Sequence, residues 1–433
     1  MTDDEPPVPV EPPAGPSRRT VLKWTALGGA AAAAVGGGVW LATRDDPAPR
    51  RSAGASAKRQ RVLVVVELGG GNDGLSTLVP YEDGRYHDLR PTLALDGDEV
   101  IDIGGGLGVN RRLRGVHDRG LTLLAGVGTA EPVLSHFEML DRWAVGDPRP
   151  ASSAARAKPT APGGFGTGFL GRLCDAVGEP GALTGVSLHF GDNAPIRAAA
   201  TSTVGLGDVT NNAFTDAKVA AEARDLMRAM ARGRAPAHLD AARSSLTSMV
   251  DVLDAVRALP AVTATYPETD LGRQLALASR FVLGETAIRV IHVPMGVSRF
   301  DTHRTHLRKH ADLMDELNDA LVVFVDDLIA NGVADDVLIA TTSEFGRRPE
   351  EHGDGLDHGT ASTMLLLGPT VAGLHGEPSS LQQLDPLDNL VASLGFDRYF
   401  ATLASWLDVD PAAVLPKVDG SRAPEPVAGI LRV

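Results

Sequence analysis

The sequence predicts a layered α/β/α domain on a mostly parallel central sheet, and three observations carry that prediction. Six short apolar runs rich in β-forming residues are bounded by turn residues, at 62–68, 121–127, 185–190, 288–294, 336–342 and 364–367. They are continuous instead of alternating, the pattern of strands covered on both faces. Between them lie segments with apolar residues at helical spacing, at 213–232, 237–259, 271–282 and 307–331, and no internal repeat interrupts the order. Strands alternating with helices put helices on both faces of one sheet.

Residues 1–60 stand apart from that fold. Ser17-Arg18-Arg19-Thr20-Val21-Leu22-Lys23 precedes an apolar run at 24–42 dominated by Ala and Gly, the arrangement of a twin-arginine export signal read by the twin-arginine translocase. Its weak hydrophobicity suits an export signal better than a membrane span, with a permanent N-terminal anchor as the alternative. The expected destination is extracytoplasmic: periplasm, cell surface or medium. Ala55-Ser56-Ala57 fits a cleavage site but lies far from the apolar run.

Residues 61–433 are expected to form a single domain with a flexible surface loop near 146–168, rich in Pro, Ala, Ser and Gly. A linker is the alternative there, disfavoured because candidate site residues fall on both sides. Beyond the leader the chain carries 33 basic against 49 acidic side chains, which argues against a nucleic-acid partner. The lone cysteine, Cys174, has no partner for an internal disulfide and sits at helical spacing among apolar residues, as a buried small hydrophobe does.

In open α/β sheets the ligand crevice lies beyond the carboxyl ends of the strands, so polar residues following each strand are the candidates. After the first run comes Gly69-Gly70-Gly71-Asn72-Asp73-Gly74, whose glycines let backbone approach a ligand and whose Asp73 is either a metal ligand or an N-cap. After the second, Ser135-His136-Phe137-Glu138 opens a helix. Ser135 is there either a hydroxyl polarised by the helix N-terminus or, with Glu138, half of a capping box. After the fourth run, Asp301 and His303 offer oxygen and nitrogen donors for a divalent cation such as Zn, Mn, Ca or Mg, while His306 and His310 lie one turn apart on the following helix. The fifth runs into Glu344, a carboxylate ligand, then Gly346-Arg347-Arg348, two guanidinium groups able to hold an anion. Asp357-His358, flanked by glycines, precedes the last. Acids and imidazoles after several separate strands point to a metal or polar active site.

The runs Glu67 to Pro80, Ser135-His136-Phe137, Asp301-Thr302-His303, Thr342 to Arg347 and Asp357 to Ala361 resemble those of domain-of-unknown-function family 1501, over nearly everything from Arg61 to about Asp410. That resemblance implies an alkaline-phosphatase-like fold, a divalent metal and hydrolysis of phosphate or sulfate esters outside the cytoplasm. By chain order it implies Asp73 as the metal ligand after the first strand and Ser135 as nucleophile. Asp301, His303, Glu344 and His358 would be further metal ligands. From the residues themselves, Asp357, presented by the same turn as His358, is a further candidate ligand, and Arg347 or Arg348 could hold the anion. The expected substrate is an anionic small-molecule or glycan ester, and an exported partner protein is a further expectation. Two positions depart from the superfamily's pattern: a single residue separates Asp301 from His303, and Glu344-Phe345 stands where Asp-His is usual. These departures support the alternative of a non-catalytic extracytoplasmic binding protein with a degenerate site.

Overall fold

A computed structural model describes residues 60–149, 166–189, 194–206, 259–284, 286–416 and 422–432, with isolated positions between 222 and 258. The expected export leader at 1–60 but for Gln60, most of the expected 146–168 loop and nearly all of the expected helical segments at 213–232 and 237–259 lie outside these residues. The strands, in chain order, are β1 (Val62–Glu67), β2 (Leu78–Val79), β3 (Val100–Gly104), β4 (Leu107–Asn110), β5 (Thr122–Gly128) and β6 (Leu183–Ser187). They continue with β7 (Ser202–Gly205), β8 (Val290–Pro294), β9 (Val337–Thr342), β10 (Ser362–Leu367), β11 (Gly373–His375) and β12 (Leu394–Gly395). The five longest described helices are α1 (His136–Val145), α2 (Phe169–Val177), α3 (Asp270–Leu283), α4 (His306–Ala330) and α5 (Phe396–Trp406).

The large sheet runs β11-β5-β10-β9-β1-β8-β6-β7, with β12 also on β5, while β2, β4 and β3 form a small antiparallel sheet. All six predicted runs are strands of the large sheet, and all but one lie parallel to one another. The exception is β10, antiparallel to both β5 and β9.

Strand β1 shows why the runs do not alternate. Val62, Val64 and Val66 face a layer containing Leu275 and Phe281 of α3 and Leu317, Leu321 and Phe324 of α4. Leu63 and Val65 face the opposite layer, with Trp143 of α1, Phe169 of α2 and Phe400 of α5. Successive side chains point to opposite faces, and here both faces are covered, so both must be apolar. Leu313, Leu317, Ala320, Leu321, Phe324 and Leu328 are the buried stripe of α4, spaced three and four apart as one helical face requires. Cys174 is buried in α2 against Gly185 of β6, and burial pushes its thiol well above the ordinary value.

Candidate metal centre

Five loops meet at one edge of the large sheet. Strands β1, β5, β8 and β9 run the same way and end there. Because β10 runs against its neighbours, it begins there, directly after Asp357 and His358. One antiparallel strand thus brings an N-terminal loop to the edge that otherwise collects C-terminal ones.

Three imidazoles converge on one carboxylate oxygen at this edge. Asp301 Oδ1 lies 3.0 Å from His303 Nε2, 3.4 Å from His358 Nε2 and 3.6 Å from His136 Nε2. The nitrogens of His303 and His358 are 3.0 Å apart. His136, Asp301 and His358 are half-buried, and each offers a ligand atom within 4.8 Å of the others. Donors around a tetrahedral Zn²⁺ with bonds of about 2.0 Å are separated by about 3.3 Å, close to the spacings from Asp301; the three groups that meet mutually are His136, Asp301 and His358, with His303 beside Asp301 and His358.

The other nitrogen of each ring fixes its proton. His136 Nδ1 lies 2.8 Å from Glu344 Oε1, His303 Nδ1 3.0 Å from Asp357 Oδ1, and His358 Nδ1 2.9 Å from the Leu134 carbonyl. All three partners only accept, so each Nδ1 donates, and Nε2 is the ring atom turned toward Asp301. The Nε2 atoms of His303 and His358 face each other across 3.0 Å, a spacing that either a proton on one of them or a cation between them satisfies. His136 Nε2 is buried with no hydrogen-bond partner among the described residues. Carboxylates and carbonyls behind metal-binding imidazoles do this same orienting work. Two nitrogens and one oxygen in this group, with the His303 nitrogen beside them, suit Zn²⁺ better than Ca²⁺ or Mg²⁺, which take oxygen.

Electrostatics separate these groups. The hydrogen bond to Glu344 raises His136 above the ordinary imidazole value, against the opposing effect of burial. Burial, with repulsion from His136 and Arg347, lowers His358, although the Leu134 carbonyl works the other way. Burial alone would raise Asp301, but the hydrogen bond and charge of Arg347 hold it below the usual carboxylate value.

The supporting loops explain the glycines. Gly70 has φ +112°, and a Cβ there would sit 2.5 Å from the Asp301 amide; Gly71 has φ +84°, and its Cβ would strike the Phe345 ring at 2.5 Å. The glycines bring backbone against the Asp301 loop and Phe345, and the Gly70 amide donates to Glu344 Oε1 at 2.8 Å. Thr305 takes a left-handed φ of 57° to turn that loop into α4, a conformation costly for a β-branched residue.

Of the residues expected as metal ligands, Asp301, His303 and His358 come together, while Glu344 and Asp357 stand behind His136 and His303. Asp73 lies elsewhere and is corrected here. Both its oxygens pair with Arg90, at 2.6 and 2.9 Å, and Oδ2 also faces His306 Nε2 at 3.3 Å, with both Asp73 and Arg90 fully buried. Burial opposes its charge, but Arg90 more than offsets this and holds the carboxyl well below its usual range. A buried guanidinium already neutralises it.

Arg347 is corrected too. Its buried guanidinium donates to Gly71, Leu356 and Phe300 carbonyls at 2.9–3.0 Å, to the Gly70 carbonyl, and to Asp301 Oδ1 at 2.6 Å. Its donors are spent holding the Asp301 loop, so it is not a free hand for an anion. Ser135 is the N-cap residue of α1 but makes no side-chain cap bond, and Glu138 pairs with Arg142, so no capping box forms. Sequence reasoning missed His136 as a donor; its signal was its place after β5, beside the candidate serine. The pair His306 and His310 is buried away from this centre, His306 on Thr302 Oγ1 at 2.8 Å and His310 on Asn72 Oδ1 at 3.1 Å.

The profile of a family described as "Protein of unknown function (DUF1501)" matches residues 129–383, which include His136, Asp301, His303, Glu344 and His358. The chain belongs to that family. No curated protein matches the sequence. Among solved structures, this DUF1501 chain is similar to the PsFucS1 sulfatase from Pseudoalteromonas sp., at 14% identity over 84% of this chain and 74% of that one, with a TM-score of 0.39. It is also similar to the lipoteichoic acid synthase LtaP from Listeria monocytogenes, at 10% identity over 83% and 74%, TM-score 0.40. A third is the phosphonate monoester hydrolase SpPMH from Silicibacter pomeroyi, at 11% identity over 84% and 75%, TM-score 0.36.

Proposed function

We propose that this DUF1501 protein is an exported metal-dependent hydrolase of phosphate or sulfate esters, its metal held by His136, Asp301, His303 and His358. The observation that carries the reading is the set of three imidazoles, each with Nδ1 committed to an acceptor and Nε2 turned to Asp301. A bound divalent ion at such a site supplies Lewis acidity to an ester's non-bridging oxygen and favours the ionised form of a nearby hydroxyl.

The chain's residues divide the remaining work. Ser135 is the nucleophile, and both its neighbours belong to the site: the Leu134 carbonyl holds His358, and His136 is a donor. Its hydroxyl is not spent on capping α1. Attack forms a bond from Ser135 oxygen to phosphorus or sulfur and breaks the bond to the ester oxygen, which leaves as the alcohol after taking a proton. Water then releases the anion and restores the serine. Arg348, half-buried with its amide on the Asp357 carbonyl at 3.1 Å, is the guanidinium proposed to meet the anion. The 1–60 leader supports an extracytoplasmic destination through the twin-arginine translocase, and an exported partner protein remains part of the proposal. Among the described residues no helix is long and apolar enough to cross a membrane.

A non-catalytic metal-binding role is the second reading, favoured by Arg347 being spent on its own backbone. Metal analysis of the purified protein beside a screen of aryl phosphates and aryl sulfates tests both. Stoichiometric metal with turnover that Ser135→Ala abolishes is the expected result. Metal without turnover leaves the binder, and neither removes both.

A further inference from the structure

A cavity of about 320 Å³, large enough for a small organic molecule, adjoins the metal centre through Glu344, which accepts from His136 and is also part of the cavity wall. One face of α1 forms a further side, because Phe137, Leu140, Asp141 and Ala144 recur at the three- and four-residue spacing that aligns side chains along a helix. Asp141 therefore stands one turn beyond Phe137 on the same face. Phe137 is 90% exposed, more than any other large apolar side chain among the described residues. A phenyl ring so placed offers an uncovered π face beside a carboxylate.

The sheet contributes Glu67, the last residue of β1, to the same cavity. Glu67 Oε2 lies 3.0 Å from His292 Nε2, and His292 Nδ1 lies 3.0 Å from Ser187 Oγ. Three neighbouring strands, β1, β8 and β6, thus hold one carboxylate in place, with 16% of its side chain exposed. Glu67, Asp141 and Glu344 put three carboxylates around a cavity whose described lining is otherwise mostly apolar. Taking carboxylates out of bulk water costs free energy that a cation beside them offsets. A metal ion is a poor candidate for that cation, since it needs several oxygens at once and these three side chains do not meet as a metal-binding group. An alkylated ammonium keeps its charge for the carboxylates and lays its carbon surface on aromatic and aliphatic side chains.

We propose that this cavity binds an organic ammonium group, its charge set against Glu67 and its alkyl surface against Phe137. The assignment concerns the cavity alone. Only its corollary, that the ammonium belongs to the alcohol part of a hydrolysed ester, rests on the function proposed above.

The test is calorimetric titration of the purified full chain, in chelator so that no metal chemistry intervenes, with choline, 3,3-dimethylbutan-1-ol and 3,3-dimethylbutanoate. The three share a trimethyl head on a two-carbon stem and carry a positive, no and a negative charge. Choline is expected to bind about tenfold or more tighter than the alcohol, and the carboxylate not to bind. Glu67→Gln keeps an oxygen for His292 and removes the charge, so it should weaken choline about fivefold and leave the alcohol unchanged. Phe137→Ala, at a solvent-exposed position on which folding does not depend, should weaken choline about threefold. Equal affinity for choline and the alcohol, carboxylate binding as tight as choline, or choline affinity unchanged in either variant overturns the assignment. Bound metal without ester turnover, with the choline preference intact, would count against the function proposed above and leave the cavity assignment standing.

Discussion

Replacing His136 by alanine removes one of the four proposed metal donors, and the consequence for stability can be worked through. A ligand present at 100 times its dissociation constant stabilises the folded state by about 2.7 kcal/mol. The roughly 370 residues beyond the leader unfold with an entropy near 0.8 kcal/mol/K, so saturating Zn²⁺ should raise the melting temperature by about 3–4 °C over chelated protein. Loss of a group that merely orients a metal ligand costs 10- to 100-fold in affinity, and a direct donor costs at least the upper figure. At the same free Zn²⁺ the variant then gains about 0.4 kcal/mol, a shift near 0.5 °C. The assay is differential scanning fluorimetry of parent and His136→Ala in chelator and in buffered Zn²⁺, with His310→Gln as a buried histidine outside the site that should keep the full shift. Protons compete at His136, which Glu344 raises, so the shift should shrink as pH falls through that group's titration. A parent without a zinc-dependent shift, or a His136→Ala protein that retains it, refutes the reasoning.

Two further outcomes separate structural from functional groups. Asp73→Ala should cost about 3–5 kcal/mol in urea unfolding by leaving Arg90 buried and unpaired, while the folded fraction keeps its full metal stoichiometry; loss of metal at unchanged stability would restore Asp73 as a ligand. His310 is fully buried and depressed to about 3, against about 6.5 unfolded, so between those values the unfolded chain binds the extra proton and stability falls with pH. Lowering pH from 7.5 to 5.0 should cost about 2 kcal/mol through this group, and His310→Gln should remove that part of the slope; an unchanged slope would show that His310 protonates in the folded state.

The sheet was legible because a strand buried on both faces needs apolar residues at every position, and a local run of Val, Leu and Ile records that need. Helices at 271–282 and 307–331 were legible from their stripes, and the observed bounds differ by a residue or so. Strands β2, β3, β4, β7, β11 and β12 were not: two to five residues held by pairing with other strands leave little periodicity to read. Asp301, His303 and His358 stood out because they follow or precede strands at one sheet edge. The fate of Asp73 could not be read, since its partner Arg90 lies 17 residues on, in a stretch with no motif. Arg347 misled for a related reason. An arginine after a strand ordinarily faces solvent, and only the crossing of the Gly70, Phe300 and Leu356 backbones makes a buried socket for this one.

The Glu344-Phe345 pair has a physical account in these contacts. An imidazole reaches Glu344 from another element: His136 at the start of α1 donates to it from Nδ1. Phe345 lies against both His136 and His358, with ring centroids 4.7 and 4.9 Å away, and fills the space that glycine at position 71 leaves open. The glutamate, one methylene longer than aspartate, reaches from the end of β9 to a ring on a neighbouring loop. Three imidazoles thus stand around Asp301 with a phenylalanine at 345 packed against two of them.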